Sequence, residues 1–147
     1  MIENVILSSS NSFQITIDGI TDENEFFYSI EGLSIGYQTQ TYIPGGESNA
    51  VTITSQVVTQ PLIIKRPLSN NKSGFSEWCI KALETGIFEP VTMNIFIFNN
   101  DSSINNHWIV EQAYPVNMKI TPIDIENETK VISEIITVMY VNIKRVK

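Results

Sequence analysis

The residue types best suited to nucleophilic or metal chemistry are scarce: the chain holds one cysteine, Cys79, and one histidine, His107. A Cys–His pair would need both groups within hydrogen-bond reach and a stabilised thiolate. The pattern around them separates the two. Cys79 falls on the apolar stripe of a predicted helix, where cysteine acts as a small hydrophobe, while His107 opens a strand beside Trp108 after a polar turn. A zinc site has too few soft ligands. Oxygen ligands occur at Asp22, Glu23 and Glu25 and through residues 99–106, without the spacing, central glycine or terminal glutamate of an EF-hand, and they read as solvated turns. Gly45 and Gly46 lack the lysine and the strand-to-helix setting of a phosphate loop, so they read as a backbone requirement. The triplets beginning at Asn71, Asn100 and Asn127 match the glycosylation sequon, yet they read as turn compositions in a chain without a secretion signal. The expectation is a protein with no catalytic residue, cofactor or metal.

The elements that would position any site form one domain, since 147 residues suffice for one core and are too few to expect two. With 42% apolar and 17% charged residues, the chain is too apolar and too weakly charged to be read as disordered. One cysteine cannot close an intramolecular disulfide, and the opening Met-Ile-Glu-Asn has neither the basic flank nor the apolar run of a leader, which predicts a chain made for a reducing cytoplasm. The most apolar stretch, 131–143, carries Ser133, Glu134, Thr137 and Asn142, so no spanning helix is expected.

Charge is unevenly distributed. Residues 1–64 hold seven carboxylates and no lysine or arginine, while 65–147 hold nine acids and nine bases, with Lys144, Arg145 and Lys147 grouped together. A net charge of -7 argues against nonspecific binding to phosphate backbones, which needs clustered positive charge. An acidic first half and a basic end can attract each other, within a molecule or between copies.

Hydrophobic periodicity gives five strands, one helix and four strands. Residues 13–17 alternate apolar and polar and meet Asp18-Gly19. Residues 26–33 and 34–43 read as a long, bent antiparallel ribbon, bent where Gly32 and Gly36 permit it. In its second half Tyr37, Thr39, Thr41 and Ile43 share one face and Gln38, Gln40 and Tyr42 the other, so neither face needs a core beneath it. Pro44-Gly45-Gly46 breaks that strand, and 51–58 and 62–66 follow, the latter stopped by Pro67. Phe75, Trp78, Cys79, Ala82 and Leu83 then recur at helical spacing, with Ser73 as N-cap and Gly86 as stop, predicting a helix that covers a sheet. Strands at 91–98, 107–114, 116–120 and 131–143 complete the order, with Pro115 dividing the second from the third. Strands segregated from the helix predict a mainly β fold, an antiparallel barrel or sandwich of eight to nine strands capped by one α-helix.

Several local sequences recur in a fixed order: an alternating strand ending in Asp18-Gly19, Ile30-Glu-Gly-Leu33, Tyr42-Ile-Pro-Gly45-Gly46, and Leu62-Ile-Ile-Lys-Arg66 with Pro67 in place of glycine. They continue with the Trp78 helix, a return strand carrying Trp108 and Ala113-Tyr-Pro115 with Tyr114 in place of tryptophan, and a final strand bearing Glu134. This succession resembles the tail tube proteins of phage-like contractile injection systems, the family of the T4-type phage tail tube, related in fold to Hcp of type VI secretion.

The resemblance implies a non-enzymatic subunit of hexameric rings that pair strands into a continuous inner barrel and stack into a hollow tube, driven forward when a sheath contracts. It implies as partners further copies of the chain, a sheath protein, baseplate and tube-terminator proteins, and effector cargo in the lumen. It also implies assembly in the cytoplasm, no nucleic-acid specificity and no membrane insertion by the monomer. Tyr42, Gly45, Gly46 and Glu47 would reach the next ring, Lys65, Arg66, Lys144 and Arg145 would meet acidic edges of a neighbour, and Ser29, Glu31, Gln38 and Gln40 would face the lumen. The competing classes are an initiator or adaptor ring of the same fold and a monomeric ligand-binding barrel.

Overall fold

The computed structural model describes residues 12–21, 25–46, 48–68, 73–124, 126 and 132–147. Its elements are β1 (Phe13–Ile17), β2 (Ser29–Glu31), β3 (Tyr37–Tyr42), β4 (Val51–Val57), β5 (Leu62–Pro67), α1 (Gly74–Thr85), β6 (Val91–Phe98), β7 (Ile104–Ile120), β8 (Ser133–Met139) and β9 (Asn142–Arg145). A seven-stranded antiparallel sheet runs β1-β6-β7-β8-β5-β2 with β9 also on β7, and β3-β4 form a separate two-stranded sheet.

Alternation along the strands builds the core, because successive side chains point to opposite faces. Ile15 and Ile17, Leu62 and Ile64, Met93 and Ile95, and Ile136 and Val138 turn inward and meet Phe75 and Cys79 of the helix in one cluster. Strands from opposite ends of the order share that cluster, so the sheet curls around a single core. The helix is capped as expected: Ser73 Oγ accepts from the Ser76 N–H at 3.0 Å, and Gly86, left-handed at φ 69°, gives its N–H to the Ala82 carbonyl. Phe75, Cys79 and Ala82 are its buried residues, with Trp78 and Leu83 half-buried beside them.

Three expectations about strands are corrected. Pro115 does not divide a strand; β7 runs through it for 17 residues, and the final strand is the one that divides, at Tyr140 and Val141. A bulge explains both. Gln112, at φ 54°, is an extra residue between the pairs Met93–Val110 and Val91–Ala113, so the inward phase is reset and both Ala113 and Pro115 become buried. Opposite that bulge the last strand bends, with Tyr140 buried and Val141 exposed, so β8 and β9 lie end to end along one edge of β7. A second register shift between Pro115 and Asn117 accommodates the missing proline N–H. The long ribbon over 26–43 is likewise not continuous: β2 pairs only with β5, whereas β3 pairs with β4. Gly32, at φ 96°, lies so close to the Pro61 carbonyl that a Cβ would stand 2.1 Å from its oxygen, and there the chain turns out of the main sheet.

Candidate functional site

Cys79 is fully buried, and its thiol is pushed up to about 12, by burial first and then by the Glu134 charge. No reactive thiolate forms there at neutral pH. His107 stacks on Phe96 with ring centroids 4.3 Å apart and shares a 2.9 Å hydrogen bond with Asn94 Oδ1, which ties it into the sheet surface. Two cavities among the described residues measure about 110 and 120 Å³, below the roughly 300–1,000 Å³ of a small-molecule site.

The unusual feature is the β3–β4 hairpin. All six residues of β3 are exposed, Thr52, Ile53 and Thr54 of β4 are exposed, and neither strand carries a charge. None of its described side chains belongs to the core cluster. Its strands are held by their ladder, with a register shift between Gln38 and Thr39, and by a 3.3 Å hydroxyl contact between Thr41 and Thr52. At its root the Val58 N–H bonds the Gly36 carbonyl at 2.9 Å, beside the 120 Å³ cavity lined by Ile35, Tyr37, Tyr140 and Val141. Exposed Ile35, Tyr37, Tyr42, Ile43, Ile53 and Val58 add apolar surface to the uncharged strands of the hairpin and to its root. An isolated two-stranded hairpin is marginal in water, and solvent-exposed edges invite pairing with another chain. The arrangement suits protein assembly better than chemistry.

Of the residues singled out from sequence, Tyr42, Gly45 and Gly46 lie together at the hairpin's distal end, with Gly46 at φ 85°, and Glu47 lies outside the described residues. Ser29 and Glu31 sit on β2 and Gln38 and Gln40 on β3, so the four lie on two sheets and not along one ribbon. Lys65 is half-buried, with its carbonyl taken by the Tyr28 N–H at 2.7 Å.

Arg66 requires a correction. It was expected at a subunit interface, and it is 5% exposed inside the subunit. Its Nη1 donates to Ser73 Oγ at 2.6 Å, its Nε lies 3.8 Å from Glu134 Oε2, and its guanidinium lies over the rings of Phe27 and Phe75 at 5.6 and 5.8 Å. Neighbouring strand residues face opposite ways, so the Lys65-Arg66 pair could not act as one basic patch. Lys144 meets its acid within the chain, 2.9 Å from Glu111 Oε1; Arg145 is exposed, with Nε donating to the Lys147 carbonyl. Hydrogen bonds from Lys144 and then Asn142 hold the Glu111 carboxyl below its usual range. Sequence reasoning missed Ile53 and the hairpin as a unit, although the absence of charge across both strands was visible.

The family model of the T4-like virus tail tube protein gp19 matches residues 9–144. The chain belongs to that family. Its function is therefore that of a structural tail tube subunit. Among solved structures, this tail tube chain is similar to a chain of the anti-feeding prophage baseplate, 6-fold symmetrised, at TM-score 0.83 and 19% identity, covering 99% of this chain and 97% of that one. It is similar to a chain of an extracellular contractile injection system, the PVC sheath/tube terminator in extended state, at TM-score 0.82 and 20% identity over 100% of both chains. Hcp1 from Flavobacterium johnsoniae shares the fold more loosely, at TM-score 0.55 and 18% identity, with 91% and 94% covered. No curated protein sequence matches the tail tube chain.

Proposed function

We propose that the chain acts as a single domain that closes into six-membered rings, which stack into the hollow inner tube of a contractile injection system or phage-like tail. The observation that carries this is the β3–β4 hairpin, whose strands carry no charge and whose described side chains are largely exposed on both faces and take no part in the core cluster. Burying it against another copy supplies the missing apolar contact, and ring closure pairs sheet edges that a monomer leaves open. Exposed ion pairs add little to such an assembly, so strand pairing and apolar burial carry it.

In this reading Tyr42, Gly45, Gly46 and Glu47 reach the next ring, Lys65, Lys144 and Arg145 border a neighbouring copy, and Ser29, Glu31, Gln38 and Gln40 face a lumen that accepts effector cargo. The subunit catalyses nothing: it assembles in the cytoplasm, meets a sheath, a baseplate and a terminator, and is thrust forward when the sheath contracts. The similarity to chains from sheath-tube, baseplate and tube-terminating structures supports that set of partners.

Negative-stain electron microscopy of the purified protein over a concentration series tests the proposal. Rings with a central hole, alone and in stacks, are expected. Single rings that never stack would assign the chain to the initiating layer, and small monomeric particles at the highest concentration would overturn the proposal.

A further inference from the structure

The strand that leads into the hairpin is poorly held by its own ladder. Among the described residues, β2 has three residues, lies at the sheet's edge and pairs only with β5, well under the five or six residues of a usual strand. Its position is set from both ends. On its far side Gly32 lies hard against the Pro61 carbonyl. On its near side Glu25 Oε1 accepts the backbone N–H of Phe75 at 2.8 Å, in the first turn of α1 and fifty residues away in the chain. That N–H has no partner within the helix, and a carboxylate is favoured at a helix N-terminus. Phe27 follows into the core, edge-on to Phe75 at 5.2 Å and beneath the Arg66 guanidinium. The other oxygen, Glu25 Oε2, is buried with no hydrogen-bond partner among the described residues, so the clamp is made at a desolvation cost.

We propose that Glu25 is a positioning residue for assembly: by capping α1 from a distant segment it keeps β2 registered on β5, and so fixes one leg of the root from which the β3–β4 hairpin leaves the domain. The other leg, residues 58–61, runs into β5, which is already held between β2 and β8. Losing the clamp would leave this leg held only by its three-residue ladder and the Gly32–Pro61 contact, with the hairpin's own fold intact and its direction less firmly set. This role rests on the hairpin being the contact between copies.

The test compares Glu25→Ala with Glu25→Gln, whose amide oxygen can still accept the Phe75 N–H. Amide hydrogen exchange of the unassembled subunit is expected to quicken by roughly tenfold or more in Glu25→Ala at residues 28–31, as a local opening does, while exchange at Ile95, Val110 and Ile136 is unchanged. In Glu25→Gln exchange should return towards the parent rate. Under the microscope Glu25→Ala should form fewer and shorter stacks than the parent, with Glu25→Gln restoring them. Unchanged exchange at 28–31, or exchange that quickens equally across the whole core, would overturn the clamp. Quickened local exchange with normal stacks would overturn its role in aiming the hairpin. A parent chain that forms no rings would instead overturn the tube proposal, and the aiming role with it, while the exchange comparison would still decide the clamp.

Discussion

The curled seven-stranded sheet and the β3–β4 hairpin are both antiparallel β-structure, yet they are stabilised in opposite ways. In the sheet, β5 alternates buried and half-buried residues along its length, and Leu62 and Ile64 are completely covered. In the hairpin, β3 has six exposed residues in succession. The sheet's inward side chains find their partners within the chain; the described side chains of the hairpin find none in the core. A strand's composition thus reports whether its own subunit supplies a core for it: one strongly apolar face where it does, two uncharged and only weakly apolar faces where it does not.

Substitutions in the two regions should therefore separate folding from assembly. The largest loss of stability is expected for Phe75→Ala, which empties the fully buried site where helix, Phe27 and Arg66 meet and should cost about 3–5 kcal/mol in urea unfolding. Arg66→Ala should cost somewhat less, about 2–4 kcal/mol, by emptying a buried site and leaving the half-buried Glu134 without its cation, whereas Arg66→Met should lie much nearer the parent. A mild Arg66→Ala effect would return that residue to the surface. In the hairpin, Ile43→Lys, on the face opposite Gln38 and Gln40 and 67% exposed, should change stability by no more than about 0.5 kcal/mol and yet abolish stacking, measured by unfolding and by sedimentation on one preparation. Loss of both together would break the contrast.

The smallest expected effect concerns Cys79. Its folded-state pKa is raised, so its contribution to stability is complete below the unfolded thiol's value of about 8.5 and is lost as pH rises towards about 12. A thiol reagent at pH 8 should leave the folded protein unlabelled and modify it once unfolded in urea; rapid labelling of the folded chain would show the helix face to be open.

Features encoded locally were legible in the sequence. Ser73, Gly86 and the Phe75-to-Leu83 stripe define the helix by short-range rules, and the weakly apolar faces of β3 announced a strand without a core. Other features depended on partners distant in the chain. Pro115 looked like a strand end because the bulge at Gln112, which lets it sit buried in β7, leaves no local signature. Arg66 looked like surface charge because the residues that receive it, Ser73 and Glu134, are supplied by other elements. The lumen candidates were grouped by adjacency along an imagined ribbon, and the turn at Gly32 divides them between two sheets. The clamp from Glu25 to Phe75 spans fifty residues and gave no signal within either segment.

The most direct measurement is cryo-electron microscopy of the assembled protein at side-chain resolution. The expected map shows six subunits per ring, with the hairpin face of Tyr37, Thr39, Thr41 and Ile43 covered by another copy and the Gln38–Gln40 face open to the lumen, while Arg66 stays enclosed in its own subunit. An assembly that leaves both strands of the hairpin in solvent and makes its contacts elsewhere would contradict the assignment of that hairpin as the assembly surface.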